Sequence, residues 1–253
     1  MIEIRGLSKR FGRLVVLRDL DLEIAPGRVT AIVGPNAAGK TTLIRTILGL
    51  TRPNGGMVRV AGEPVNGDPS YRALIGYMAQ IARFPDNLTG RELLAMLADL
   101  RTTPGTSAPA PSGSWPSHAT QQRDDELLQA FGLERELDKP LRTLSGGTRQ
   151  KVNAVMAFLF DPPILILDEP TAGLDPVATG ILKDKIRRAR DAGKTFILTS
   201  HIMSELEELA DDVVFLVEGQ VRFAGPVDTL KARTRQFSLE RAVARLMTDA
   251  EAA

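Results

Sequence analysis

Three stretches of this chain carry residue types spaced for phosphate chemistry. The first is Gly34-Pro35-Asn36-Ala37-Ala38-Gly39-Lys40-Thr41. A glycine, four residues and then Gly-Lys-Thr is the spacing of a phosphate-binding loop. Successive backbone N–H groups of such a loop face inward, and a helix starting at its end adds partial positive charge, so together they cradle an anion. Lys40 is placed to reach the β- and γ-phosphates of a nucleoside triphosphate, and the Thr41 hydroxyl to ligate Mg2+. Ala37 stands where many such loops carry a third glycine, so the backbone there must accept a Cβ. The second stretch, Ile164-Leu165-Ile166-Leu167, delivers the adjacent carboxylates Asp168 and Glu169. Asp168 sits where phosphate-loop folds keep the carboxylate that supports Mg2+. Glu169 is placed to take the proton of an attacking water, assistance worth roughly 10²–10⁴-fold. A third stretch, Ser145-Gly146-Gly147, opens a helix and makes another anion site by the same physics.

Positioning these groups takes strands and helices in alternation. Val29-Thr30-Ala31-Ile32-Val33 before the loop is strand-like, and Thr42 to Leu48 after it begins a helix. Earlier, Ile2 to Arg5 and Val15 onward read as strands around a Gly12-Arg13 turn, and Phe11 beside it offers a ring to stack on adenine. Pro53 to Gly56 reads as a turn, Met57 to Val60 as a strand, and Pro64 to Pro69 as a loop. A short helix at Tyr71–Ile75 leads to a strand, Gly76 to Gln80, ending on an amide. Thr89 with Glu92 forms a capping box for a helix with Leu93, Leu94, Leu97 and Leu100 on its apolar face. Residues 102–122 are rich in Pro, Ser, Thr and Ala and nearly free of aliphatics, which predicts a flexible insert that carries Trp115 and His118. A helix from Asp124 stops at Gly132, and the helix opened by Ser145 stops at Pro162-Pro163. The runs Ile164–Leu167 and Thr195–Thr199 are apolar throughout, as strands buried on both faces are. Between them Pro176–Asp191 is a helix; Ile202–Ala210 follows as another. Val213–Val217 and Gln220–Phe223, joined by Glu218-Gly219, read as a hairpin, and Ser238–Met247 as an amphipathic tail helix. The expected fold is α/β with a mainly parallel central sheet.

Bulk composition narrows the function classes. At 253 residues the chain can bury a large core. A net charge of +1 gives no electrostatic reason to expect nucleic acid. Zero cysteines and two histidines exclude thiolate and His-rich metal sites. The N-terminus reads as a strand rather than a leader, and no run approaches the roughly 18 apolar residues of a membrane span. The setting expected is therefore cytoplasmic.

Leu144-Ser145-Gly146-Gly147-Thr148-Arg149-Gln150 resembles the signature segment of ATP-binding cassette ATPases, the motor subunits of ABC transporters. The resemblance runs from about Ile2 to Leu230, with the motifs in the same order. By it, Phe11 matches the adenine-stacking aromatic, Gly34 to Thr41 the Walker A loop, and Ile164 to Asp168 the Walker B strand with Glu169 as catalytic base. Gln80 matches the Q-loop glutamine, Gly173-Leu174-Asp175 the D-loop and His201 the switch histidine. It implies catalysis by Glu169, His201, Lys40 and Gln80, and nucleotide contacts from Phe11, Gly34, Asn36, Ala37, Ala38, Gly39, Lys40, Thr41, Thr42, Ser145, Gly146 and Gly147. Mg2+ would be held by Thr41, Gln80 and Asp168. It further implies a P-loop NTPase fold: a RecA-like, mainly parallel sheet with an antiparallel N-terminal β-subdomain and a helical subdomain. The cassette would occupy residues 1–230, with the helical subdomain at about 80–158, and residues 231–253 would form a helical tail.

The resemblance implies a head-to-tail homodimer or cassette pair around two ATP-Mg2+ sites, peripheral on the inner face of the cell membrane through integral membrane permease subunits, without nucleic acid. Thr148, where a Gln is common, hints at export. Residues 239–245 resemble the tails of cassettes tied to copper processing and nitrous-oxide-reductase maturation. A soluble ABC-type ATPase acting on DNA, ribosomes or cluster assembly is the rival reading, and a nucleotide-binding regulator without turnover a third. The interval between phosphate loop and signature is short and lacks heptads, one cassette is present, and Glu169 and His201 are both there; all three points favour the transporter subunit.

Overall fold

The computed structural model describes residues 1–65, 69–102 and 123–251. The insert expected at 102–122 lies from 103 onward outside the described residues, and Trp115 and His118 with it. In chain order the elements are β1 (Ile2–Phe11), β2 (Leu14–Ile24), β3 (Val29–Val33), α1 (Lys40–Ile47), β4 (Gly55–Val60), β5 (Glu63–Pro64), β6 (Ile75–Met78), α2 (Gly90–Thr102), α3 (Glu126–Ala130) and α4 (Gly146–Phe158). They continue with β7 (Ile164–Asp168), α5 (Pro176–Asp191), β8 (Thr195–Thr199), α6 (Met203–Leu209), β9 (Asp212–Val217), β10 (Gln220–Pro226), α7 (Val227–Thr234) and α8 (Leu239–Glu251). The fold is α/β with an antiparallel N-terminal sheet.

Two compact units divide the chain: residues 1–69 with 195–253, and residues 70–194. In the first, β2, β1, β4 and β5 form an antiparallel sheet, with Ile2 opposite Ile24 and Ile4 opposite Leu22. Strict alternation places Leu20, Leu22 and Ile24 inside and Asp21 and Glu23 in water, which fixes the register because a one-residue slip would reverse every side chain. A second sheet runs β10, β9, β3, β8. β3 is parallel to both β8 and β9, and both β3 and β8 are buried along their whole length. The β9–β10 turn has positive φ at Glu218 (49°) and Gly219 (76°), the requirement of a hairpin turn that follows the strand twist. α8 buries Leu239, Ala242 and Val243, and its first amide donates to Glu207 of α6 at 2.9 Å.

In the second unit β6 and β7 are parallel neighbours, with Met78 beside Leu167. α2 starts with the capping box: Thr89 N–H donates to Glu92 Oε2 at 2.8 Å and Glu92 N–H to Thr89 Oγ1 at 3.2 Å. α3 is tied to α5 by the buried Lys185, whose ammonium donates to Asp124 and Glu126 at 2.6 Å each, while Arg188 also pairs with Glu126. Burial opposes the Lys185 charge, but those two carboxylates outweigh it and raise its pKa above the ordinary lysine value.

Some elements differ from the sequence reading. Gly55 and Gly56, expected in a turn, begin β4, because Gly55 pairs with Ser8 of β1. The segment expected to be loop from Pro64 includes the end of β5, and the short helix at Ser70–Leu74 is a 3-10 turn. α7 was not foreseen; it buries only Val227 and Leu230, too few apolar positions to show a helical period.

β6 packs against α4 without clearance. A Cβ on Gly76 would lie 2.0 Å from the Ala157 carbonyl oxygen and 2.7 Å from Pro162 Cγ. Gly76→Ala is therefore expected to lower the unfolding free energy by about 1–3 kcal/mol, the usual cost of overpacking. Equilibrium urea unfolding measures it, and an unchanged midpoint would show that the strand has room to shift.

Candidate functional site

The loop at 34–39 is held from behind. A Cβ on Gly34 (φ 152°) would lie 2.0 Å from the Leu216 carbonyl oxygen of β9, and one on Gly39 (φ 106°) 2.8 Å from Leu17 Cδ2 of β2. Gly219 N–H donates to the Ala38 carbonyl at 3.0 Å, fastening the loop to the β9–β10 turn. The Lys40 ammonium bends back over the loop and donates to the carbonyls of Gly34 (2.6 Å) and Pro35 (3.0 Å). α1 begins at Lys40 with no side-chain cap and no acidic residue in its first turn, so no side chain of that turn repels an incoming anion or caps the helix in its place. Ala37 does carry its Cβ in the left-handed region, at φ 63°, a strain of about 1 kcal/mol. Asn36, Ala37 and Thr41 are exposed, Ala38 is buried, and Thr42 is half-buried.

Strand direction brings a second candidate to the same edge. β8 is parallel to β3, so Thr199-Ser200-His201 leaves the sheet at the end where β3 opens into the loop. Ser200 Oγ accepts the Ile202 N–H at 3.0 Å, which turns the chain just past His201. Phe11 ends β1 in register with Leu14 of β2; its ring is 51% exposed, with Lys9 Nζ 4.7 Å from the centroid. Phe11, Gly34 to Thr42 and His201 thus all belong to the first unit.

Gln80, Ser145 to Gly147, Asp168 and Glu169 belong to the second unit. Here too parallel strands gather the groups: β6 leads to Gln80 and β7 ends on Asp168 at one edge. Asp168 is 7% and Glu169 9% exposed, and Glu169 turns the chain with φ 53°. Ser145 caps α4, its Oγ accepting the Thr148 N–H at 3.1 Å and lying 2.8 Å from Thr148 Oγ1. A Cβ on Gly147 would lie 2.9 Å from the Gly173 carbonyl oxygen, so the start of α4 faces the segment before α5. Lys151 reinforces that contact with an ion pair to Asp175 at 2.8 Å. The hydrogen bond from Lys151, then the Ala178 N–H, hold the Asp175 carboxyl below its ordinary range.

Sequence reasoning passed over two buried amides on α4. Gln150 and Asn153 are 6% and 4% exposed, and they bond to the carbonyls of Glu169 and Ala79. The available signal was two amides at i, i+3 just before the apolar run Ala154 to Phe158, a spacing that puts both on one face.

The family described as "ABC transporter" matches residues 17–172. The chain is 36% identical over 232 residues to the daunorubicin/doxorubicin resistance ATP-binding protein DrrA of Streptomyces peucetius, covering 91% of this chain and 67% of that protein. It is 32% identical to the Nod factor export ATP-binding protein I of Ralstonia nicotianae, covering 87% and 65%. The chain thus spans about two thirds of the length of these curated relatives. A solved structure titled "Structure of ATP binding subunit of ABC transporter" superposes with a TM-score of 0.84 at 30% identity, over 98% of this chain and 99% of that one. The dimeric bacterial ABC transporter cassette MJ0796 shares the fold, with a TM-score of 0.75 at 23% identity over 89% and 98%.

The loop geometry separates two substitutions that look alike on paper. Gly34→Ala is expected to abolish nucleotide binding, since its Cβ cannot avoid the Leu216 carbonyl. Ala37→Gly is expected to leave binding within about twofold and stability within about 1 kcal/mol, as relieved strain offsets added unfolded-state entropy. Titration with a fluorescent ATP analogue distinguishes them, and binding by Gly34→Ala equal to wild type would refute this account of the loop.

Proposed function

This chain belongs to the ABC transporter family of ATP-binding cassettes, a family of ATPases, and from that premise we propose how its own residues bind and cleave ATP. The observation that carries the reading is that the loop after β3, His201 after β8, Gln80 after β6 and the Asp168-Glu169 pair at the end of β7 all leave carboxyl edges of parallel strand pairs, β3 with β8 and β6 with β7. Ligand sites of open α/β sheets form at such edges. The loop amides and the start of α1 hold the phosphates, Lys40 exchanges its loop carbonyls for phosphate oxygens, and Phe11 stacks on adenine. Glu169 takes the proton of the attacking water, and His201 and Gln80 orient the groups at the γ-phosphate. Among the described residues no three or more His, Cys, Asp or Glu come together as a metal cage. The donors that the family resemblance assigns, the Thr41 hydroxyl, the Gln80 amide and the Asp168 carboxylate, offer hard oxygens of the kind that Mg2+ shared with phosphates takes. Bound there, Mg2+ would neutralise charge developing on the β- and γ-oxygens.

The wider assembly is part of the proposal. Two copies, or a cassette pair, would close on two ATP molecules, each held by the loop of one chain and Ser145 to Gly147 of the other. The dimeric cassette of the same fold supports this. No helix among the described residues is long and apolar enough to cross a membrane. Membership of the family supports a role in driving separate permease subunits from their cytoplasmic face. Export is favoured by the name of the Nod factor relative. The narrower likeness to copper-processing cassettes gains no support from these relatives. Residues 1–230 would form the cassette, with a helical subdomain at about 80–158 and a helical tail at 231–253.

Glu169→Gln tests the chemistry. ATP binding should persist while turnover falls about two orders of magnitude or more, and an ATP-bound dimer should accumulate in mass measurements. Turnover close to wild type would remove Glu169 from the role of base.

A further inference from the structure

We propose that Gln150 and Asn153 form an amide relay that positions Glu169 against the strand end bearing Gln80; the proposal rests on the reading of Glu169 as the base. Asn153 Nδ2 donates to the Ala79 carbonyl at 2.7 Å, one residue before Gln80, and to Gln150 Oε1 at 3.4 Å. Gln150 Nε2 then donates to the Glu169 carbonyl at 3.3 Å. Three hydrogen bonds thus join the end of β6 to the residue after β7 through one face of α4.

The direction of the chain is set by chemistry. Both Ala79 and Glu169 offer carbonyl oxygens, which only accept. If the Asn153 amide were reversed, its oxygen would face two other oxygens. With Asn153 donating, the Gln150 oxygen is occupied and its NH2 must point to Glu169. Both amides are more than nine-tenths buried, where a polar group without partners is costly, so the network holds one arrangement.

Glu169 gives the network something to hold. At φ 53° it occupies a conformation that a residue with a side chain adopts reluctantly. Its carbonyl accepts from two sides, from the Ala172 N–H at 3.1 Å and from Gln150. The first bond closes the local turn; the second ties that turn to α4, whose N-terminus is Ser145-Gly146-Gly147. A displacement of Ala79 or of α4 is therefore passed to the backbone that aims the Glu169 carboxylate. Gln150 and Asn153 are positioning residues, since neither contacts the reacting atoms in this arrangement.

The test compares Gln150→Met, Glu169→Gln and the double variant in the full chain, with MgATP as substrate. Methionine keeps the volume and removes the donor, and Glu169 keeps its bond from Ala172, so the fold should persist. The relay predicts turnover reduced between about tenfold and 10²-fold in Gln150→Met, the scale of a misplaced catalytic group, with ATP affinity unchanged. In the Glu169→Gln background the same substitution should cause no further loss. Turnover of Gln150→Met within about twofold of wild type, or an equal fractional loss in both backgrounds, overturns the relay. Wild-type turnover by Glu169→Gln itself overturns the base assignment, and the relay with it. Should Gln150→Met not fold, Asn153→Leu breaks the chain from its other end. Faster amide exchange at Glu169, Thr171 and Ala172 in that variant supports the relay, and exchange equal to wild type overturns it.

Discussion

Everything at the phosphate loop depends on how closely its backbone lies against β9. The contact at Gly34 leaves no space for a single carbon beside the Leu216 carbonyl, so at this end the loop is seated backbone against backbone. On the proposed reading that seating would aim the loop amides and the uncapped start of α1 at an anion, while Lys40 folds over the loop to its own carbonyls. Donors held in place before the ligand arrives need no reorganisation when it binds, which is where such sites gain their affinity and their catalytic effect. The burial of β3 and β8 along their full length serves this end, because a rigid strand is what aims the loop.

The second unit repeats the device with different parts. There the buried β7 ends on two carboxylates, and the chain reverses through a strained Glu169. Strain of this kind survives only where surrounding contacts over-determine it. α4 supplies them: its N-terminus meets Gly173 and Asp175, and its buried amides reach Glu169 and Ala79. One helix therefore touches each segment of this unit to which the proposal assigns a part in ATP turnover. Hydrolysis and dimer closure would then be coupled through the packing of α4 rather than through any single charge.

The reach of sequence reading follows from what each element is made of. β7, β8 and α5 were legible nearly to the residue. The strands are unbroken aliphatic runs, and α5 opens with Asp175 as cap and Pro176 in the first turn and closes before Gly193. The residue types at the phosphate loop and after β7 were equally plain, since their chemistry is carried by identity and spacing. Conformation was not. Nothing in the letters shows that Glu169 is left-handed, and Ala37 could be flagged only because a glycine was expected there. Gln150 and Asn153 stayed hidden because polar residues in a helix ordinarily face water; only the packing of α4 on β6 reveals that these two do not. α7 escaped for the opposite reason, having too little apolar surface to announce itself.

The central claim is that each ATP is gripped by Lys40 of one chain and Ser145 of another. Mixing a Lys40→Ala chain with a Ser145→Arg chain measures it directly. Each homodimer lacks the same element at both sites and should be inactive. In the mixed dimer one site carries both defects and the other carries neither, so ATPase activity should return on mixing. A Ser145→Arg chain that alone hydrolyses ATP at the wild-type rate would contradict the claim.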